Sequence, residues 1–244
     1  RGIRPTRFLT GYYFTSGNLR KMAETIKIIY EDNHLLVVEK PVNVLSQADS
    51  SQEDDMVSRL KKLIKIRDQK PGQVFIGLVH RLDRPVGGLM VFAKTSKGAS
   101  RLSDSIRCHT FKKIYLAIVD SVSLPQEGTL EDYLYKDSQK NRVFVVDAKK
   151  GKLARLHYQV LAKKRGKSLV RIVLETGRLH QIRVQFASRN WPLVNDQRYH
   201  PHPNRGSICL FAYQLSFPHP TKREEISFQL YPKTSGIWSL FQEK

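Results

Sequence analysis

The chain has 244 residues with 42 Lys+Arg against 22 Asp+Glu, a formal charge of +20, and its 40% hydrophobic, 26% charged composition excludes wholesale disorder. No apolar run approaches the roughly 18 residues that cross a bilayer, none resembles the apolar stretch of a secretory signal, and two cysteines, Cys108 and Cys209, exclude a disulfide framework and a four-thiolate zinc site. What remains is a basic chain expected in the reducing cytoplasm, whose charge favours polyanionic partners, nucleic acid first.

Residues 1–21 carry Arg1, Arg4, Arg7, Arg20 and Lys21 and no acid; the rest still holds 37 basic against 22 acidic residues, +15 in its own right. Met22 stands directly before the first strand-like pattern and is read as the natural start, with 1–21 a basic extension outside the fold. The rival reading of 1–21 is an Arg-rich organellar transit peptide. From Thr25 to Lys40, IKIIYE and HLLVVEK predict two strands around the turn residues Asp32 and Asn33. A polar loop, 47–55, leads to a helix on which Met56, Leu60, Leu63 and Ile64 recur at helical spacing. Val74 to Val79 and Leu89 to Ala93 are apolar runs suited to buried strands, and between them lies HRLDRPVGG. Thr95 caps a predicted helix that turns Ala99, Leu102 and Ile106 inward, after which FKKIYLAIVD reads as a strand. RLHYQVLA and SLVRIVLET, joined by the basic turn KKRGK, predict a hairpin. LHQIRVQFAS predicts a helix with Leu179, Ile182 and Phe186 on one face, and SICLFAYQLSF and ISFQLYP predict two final strands. Strands that occur both as hairpins and separated by helices predict a single α+β domain with a mixed sheet over 22–244.

Several familiar sites are missing from the sequence: GxSxG, HExxH and CxxC do not occur. Gly166-Lys167-Ser168 imitates the end of a phosphate loop, but Leu161 stands where that loop needs glycine, so a tight basic hairpin is the better reading. His200-Pro-His202 has no carboxylate or thiol at ligand spacing and reads as a surface loop, so no metal is expected. Two segments do carry chemistry. HRLDRPVGG places Asp83 between apolar strands, where an acid is costly unless paired; on this segment alone, an Asp capping the turn through Pro85 to Gly88 is the commoner case. ETGRLHQIR sets Arg178, His180, Gln181 and Arg183 among Leu179, Ile182 and Phe186, so some of these donors border the core, where an arginine wants a carboxylate.

Taken together, residues 26–232 resemble the RluA family of RNA pseudouridine synthases. The matching pieces come in the family's order: IIYEDNHLLVVEKP, HRLDRPVGGLMVFAKT, KKIYLAIV, TGRLHQIRV, PLVNDQRY and LFAYQLSFPHP. The resemblance implies a curved, mixed, mostly antiparallel sheet in two halves with flanking helices and a central RNA-binding cleft. It implies isomerisation of uridine in rRNA or tRNA without metal or other cofactor, by a monomer with no membrane association. Residue by residue, it makes Asp83 the catalytic aspartate, Tyr115 the side chain stacked on the target base, and Arg183 the partner of Asp83. Arg81 matches the residue that fills the space of the flipped uridine, and Leu210 falls near an apolar position of the pocket. The other polar side chains of the two signatures, His80, Arg84, Arg178, His180 and Gln181, are assigned to substrate and RNA binding.

Those residue types suit the reaction. The C1′–N1 bond breaks, the uracil turns and rejoins through C5, so the freed base must stay in a closed, water-poor pocket. One carboxylate is needed, either as nucleophile or to assist departure of the base. Burial alone would protonate Asp83, whereas an adjacent guanidinium favours the ionised acid. Tyr115 offers a flat face and a phenol, extrusion of the base costs about a few kcal/mol, and FKK, KKGKLAR and KKRGK are candidate phosphate contacts. The chain departs from the family where Val86-Gly87-Gly88 replaces Thr-Ser-Gly, and where Asn43 and Asn195 replace glycines; asparagine tolerates positive φ. Only 21 residues precede Met22, too few for the S4 RNA-binding domain of many relatives, so RNA selection is expected to rest on the catalytic domain or a partner. Two rivals stand beside the enzyme: a catalytically silent RNA-binding or ribosome-assembly protein on the same fold, and a generic DNA-binding protein, for which no groove-reading helix is evident.

Overall fold

The computed structural model describes residues 26–50, 53–222 and 224–241; the basic segment 1–21 and the start assigned to Met22 lie outside them. The longest apolar runs become the strands covered on both faces. β1 (Ile28–Glu31) pairs antiparallel with β2 (Leu35–Lys40), which pairs with β4 (Gly87–Ala93). Leu36, Val38, Met90 and Phe92 pack toward α1 (Met56–Arg67), while Leu35, Val37, Leu89 and Val91 pack toward α2 (Ser96–Arg107). Both helices start at side-chain caps: Asp55 accepts from the backbone N–H groups of Val57 and Ser58, and Thr95 from that of Gly98.

The run Val74 to Val79 is not the full strand expected. Only Gly77–Leu78, β3, pairs with β4, because the edge of β4 away from β2 is shared with another strand; Val74 and Ile76 bury their side chains from a loop. The other half of the sheet contains β5 (Lys112–Val119), β6 (Glu127–Asp137), β7 (Arg142–Val146), β8 (Lys152–Lys164), β9 (Lys167–Leu174), β10 (Leu210–Pro218) and β11 (Glu225–Gln229). The eleven described strands form one sheet in the order β1-β2-β4-β10-β5-β9-β8-β6-β7, with β3 on β4 and β11 on β10. At the β8–β9 turn Arg165 and Gly166 both take positive φ, 49° and 75°, as a two-residue hairpin of the favoured twist demands. β6 and β7 are strands that apolar patterning passes over: of eleven residues in β6, only Leu130 and Leu134 are buried. α3 (Gln181–Ala187) starts later than the sequence pattern implies, which corrects the placement of Leu179: it precedes the helix and is exposed, while Ile182 and Phe186 are buried.

Every strand pairing is antiparallel except that of β4 with β10, a parallel seam at Phe211–Gly87 and Ala212–Gly88 where the two halves meet. Gly88 is required there: its φ is +120°, and a Cβ would lie 2.4 Å from the Ala212 carbonyl oxygen. Gly88→Ala is therefore expected to lower stability by about 3 kcal/mol or more, read as the shift in urea midpoint at unchanged m-value. A shift under about 0.5 kcal/mol, the range of ordinary surface changes, would contradict this account of the seam.

Candidate active site

The loop between β3 and β4 carries Asp83 and is fixed from below by two side chains that the sequence did not single out. Lys40, at the end of β2, is fully buried, and its Nζ donates to the carbonyl oxygens of Pro41, Val44 and Arg84 at 2.8, 2.6 and 3.0 Å. Burial pulls its ammonium down to about 7, against the opposing charge of Asp83. Ser46 Oγ donates to the Leu82 carbonyl at 2.8 Å and accepts the Leu82 N–H at 3.1 Å. Asn43, in the turn between them, has φ 63°, the left-handed conformation expected of it. The backbone carbonyl of Asp83 accepts from Val86 N–H and so closes the turn, which leaves the carboxylate free for other partners.

Those partners come from α3 and the residue before it. Arg183 Nη1 donates to Asp83 Oδ2 at 3.1 Å, and His180 Nε2 lies 3.8 Å from the same oxygen. The remaining donors of Arg183 go to Asp196: Nε to Oδ2 at 2.9 Å and Nη2 to Oδ1 at 2.7 Å, a bidentate pair with Asp196 fully buried. Burial would weaken the Arg183 charge, but the two carboxylates hold it well above the usual arginine range. Burial likewise opposes the charge on Asp196, yet Arg183 and the N–H groups of Arg198 and Tyr199 keep its carboxyl below the usual range. A guanidinium thus sits between two carboxylates, one locked in the core and one partly exposed.

Tyr115, on β5, is buried in the same cluster as Leu82, Ile182, Leu210 and the inner residues of α1, and Leu210 opens β10 with 5% exposure. Burial and the Asp83 charge push the Tyr115 phenol well above its ordinary value, so it stays protonated. Arg81 is exposed and makes no hydrogen bond or ion pair with any described residue.

Other predicted contacts are committed to the fold. His80 is buried against Phe111, its Nε2 accepts from Val91 N–H at 3.1 Å, and burial pushes it down to about 3. It belongs to the packing around α2, on the other face of the sheet from Tyr115, and so differs from the expected RNA contact. Gln181 is buried: its Oε1 accepts from Thr176 Oγ1 and Arg178 N–H, and its Nε2 donates to the Arg155 carbonyl, shaping the loop before α3. Arg178 is exposed and donates from Nε to the Leu153 carbonyl. Arg84 is exposed and pairs with Glu53 at 2.6 Å. His200, read as part of a surface loop, instead lies 3.0 Å from Asp120 Oδ2, and Lys167 reaches Oδ1 of the same acid at 2.7 Å. No three His, Cys, Asp or Glu side chains among the described residues are grouped to hold a metal ion, and none of the described helices is long and apolar enough to cross a membrane.

A carboxylate near a buried phenol and held by a buried guanidinium can act as nucleophile or base on a bound ligand. Comparison with known proteins points the same way. A family model described as RNA pseudouridylate synthase matches residues 34–188. The chain is 36% identical over 175 residues to "Ribosomal large subunit pseudouridine synthase D" of Pseudomonas aeruginosa, covering 71% of this chain and 53% of that protein. It is 34% identical over 218 residues to the protein of the same name from Neisseria meningitidis serogroup A, covering 84% and 57%. The chain thus spans little more than half the length of these relatives. In fold it is similar to the solved structure of Human RNA Pseudouridylate Synthase Domain Containing 4, with TM-score 0.71 at 22% identity, over 84% of this chain and 88% of that one.

Proposed function

The chain belongs to the RNA pseudouridylate synthase family, and from that premise we propose that it isomerises uridine to pseudouridine in ribosomal RNA, with Asp83 as the catalytic carboxylate. The observation that carries this reading is the Asp83–Arg183 pair at 3.1 Å, with Asp83 near enough to Tyr115 for its charge to act on the phenol. In the reaction the C1′–N1 bond breaks and a C1′–C5 bond forms, while C5 loses a proton and N1 gains one. Arg183, donating from Nη1 at 3.1 Å, orients the Asp83 carboxylate for attack on C1′ or for proton abstraction beside it. Tyr115, with its phenol protonated, serves as a flat platform and hydroxyl donor for the uracil, which leaves the base's role to the Asp83 carboxylate. Leu210 and Ile182 supply the apolar wall that keeps water from the detached base.

Release of tritium from RNA labelled at uridine C5 tests the proposal directly. The purified chain is expected to release tritium from ribosomal RNA, and pseudouridine maps of ribosomal RNA from cells with and without the gene should differ at the released position. RNA binding with no release would favour the silent RNA-binding alternative. The freedom of Arg81 gives a second expectation. Arg81→Ala should leave thermal stability within about 0.5 kcal/mol while slowing turnover more on a uridine in a stem than on one in a loop, because stacking must be replaced only in the stem. Equal slowing on both substrates would remove Arg81 from the flipping step.

A further inference from the structure

Two nitrogens face Asp83, the donor Arg183 Nη1 at 3.1 Å and His180 Nε2 at 3.8 Å, and both lead back to one short turn. Asp196 takes Nε and Nη2 of Arg183, which leaves Nη1 directed at Asp83. The turn fixes Asp196 in return: Arg198 N–H and Tyr199 N–H donate to its Oδ1 at 3.0 and 3.2 Å. Tyr199 lays its ring against the Arg183 guanidinium, 5.3 Å from centroid to carbon, and its hydroxyl is 2.8 Å from His180 Nδ1. That hydroxyl oxygen also accepts Val143 N–H at 3.0 Å, which leaves its own proton available to donate to Nδ1. In that arrangement the imidazole proton is assigned to Nε2, the nitrogen facing Asp83. His180 holds φ 52°, a left-handed backbone that a side chain adopts only where its surroundings enforce it. Burial pushes its imidazole down to about 4, with Arg183 and Arg198 adding to the effect and Asp83 and Asp196 opposing it, so the ring is neutral at physiological pH.

We propose that the Asp196–Tyr199 turn positions the catalytic carboxylate: Asp196 aims Arg183, and Tyr199 selects the His180 tautomer that presents Nε2–H to Asp83. The inference rests on the reading of Asp83 as the catalytic group and adds two positioning residues, Asp196 and Tyr199, that act through Arg183 and His180. A carboxylate that must keep one orientation while the base detaches, turns and returns gains from donors whose own geometry is fixed.

Nitrogen-15 spectra of the full-length chain read the tautomer without reference to activity. His180, assigned through its backbone, is expected to carry its proton on Nε2, and Tyr199→Phe to shift it to a mixture with the Nδ1–H form. In single-turnover tritium release Tyr199→Phe should be slower by about tenfold, one hydrogen bond's worth, with RNA affinity unchanged. An Nδ1–H tautomer in the unsubstituted chain overturns the proposal, and that measurement stands even if Tyr199→Phe does not fold. A wild-type rate or an unaltered tautomer in folded Tyr199→Phe overturns it equally. Asp83→Asn, run in parallel, separates the two readings: turnover by that variant removes Asp83 from the chemistry and leaves the tautomer result as it was found.

Discussion

Asp83→Asn is expected to abolish tritium release, by at least about 10⁴-fold, while RNA affinity and folding stay near those of the unsubstituted chain. The size of the loss follows from what the carboxylate does. An amide of the same shape is neither nucleophile nor base, and Asp196, the other acid paired with Arg183 among the described residues, is fully buried and takes two of the guanidinium's donors. Retention of the fold follows from the same geometry. The Asp83 side chain is partly exposed and does not cap its own turn; that turn is closed by the backbone bond to Val86 and clamped by Lys40 and Ser46. The asparagine carbonyl can still accept from Arg183 Nη1, so the guanidinium keeps all three of its contacts. The measurement pairs single-turnover release with a binding isotherm on the same RNA at fixed salt, since affinity without a stated salt concentration has no meaning for a polyanion. Release within about tenfold of the unsubstituted chain would place the chemistry elsewhere.

How much of this could be read from the sequence depends on how local each cause is. The strands β2, β4 and β5 announce themselves because helices or other chain cover both faces, so nearly every residue is apolar. β6 has one apolar stripe broken by Asp132, whose carboxylate is spoken for by Arg189 and Gln185, and no window of local sequence shows that pairing. Asp83 and Arg183 stand out because a charged residue amid apolar neighbours needs a partner, and each is the other's. Asp196 and Tyr199 do not stand out: a turn aspartate and a tyrosine in NDQRY look like surface until the fold brings Arg183 and His180 against them. Lys40 misleads in the same way, since a lysine beside a proline reads as solvated, and only the convergence of three loop carbonyls makes a buried ammonium tolerable. His80 errs in the opposite direction. Its place in HRLD marks it as polar and therefore available, yet the loop after β3 packs Leu82 into the cluster that holds Tyr115 and leaves His80 packed on Phe111.

Asp196→Ala should show what the buried pair contributes to folding. Arg183 has a side chain only 5% exposed, and without Asp196 two of its three contacts vanish while its charge remains in the core. Breaking such a pair from one side costs more than the pair itself is worth, because the remaining ion is left uncompensated; about 3 kcal/mol is expected, a fall in Tm of roughly 6–12 °C for a domain of this size. The pH dependence distinguishes this cause from a simple packing loss. Arg183 and two backbone N–H groups hold the folded Asp196 carboxyl below the range it takes in the unfolded chain. The unfolded state therefore binds the proton first as pH falls, so the stabilisation from this group is fully present above about pH 4, the ordinary carboxylate value. It is lost progressively as pH drops through the lower folded value. The gap in unfolding free energy between the unsubstituted chain and Asp196→Ala should thus be flat from pH 7 to 5 and narrow below about pH 4. A gap that stays constant down to pH 2.5 would mean that the variant loses only volume, and the guanidinium would then not depend on Asp196 for its place beside Asp83.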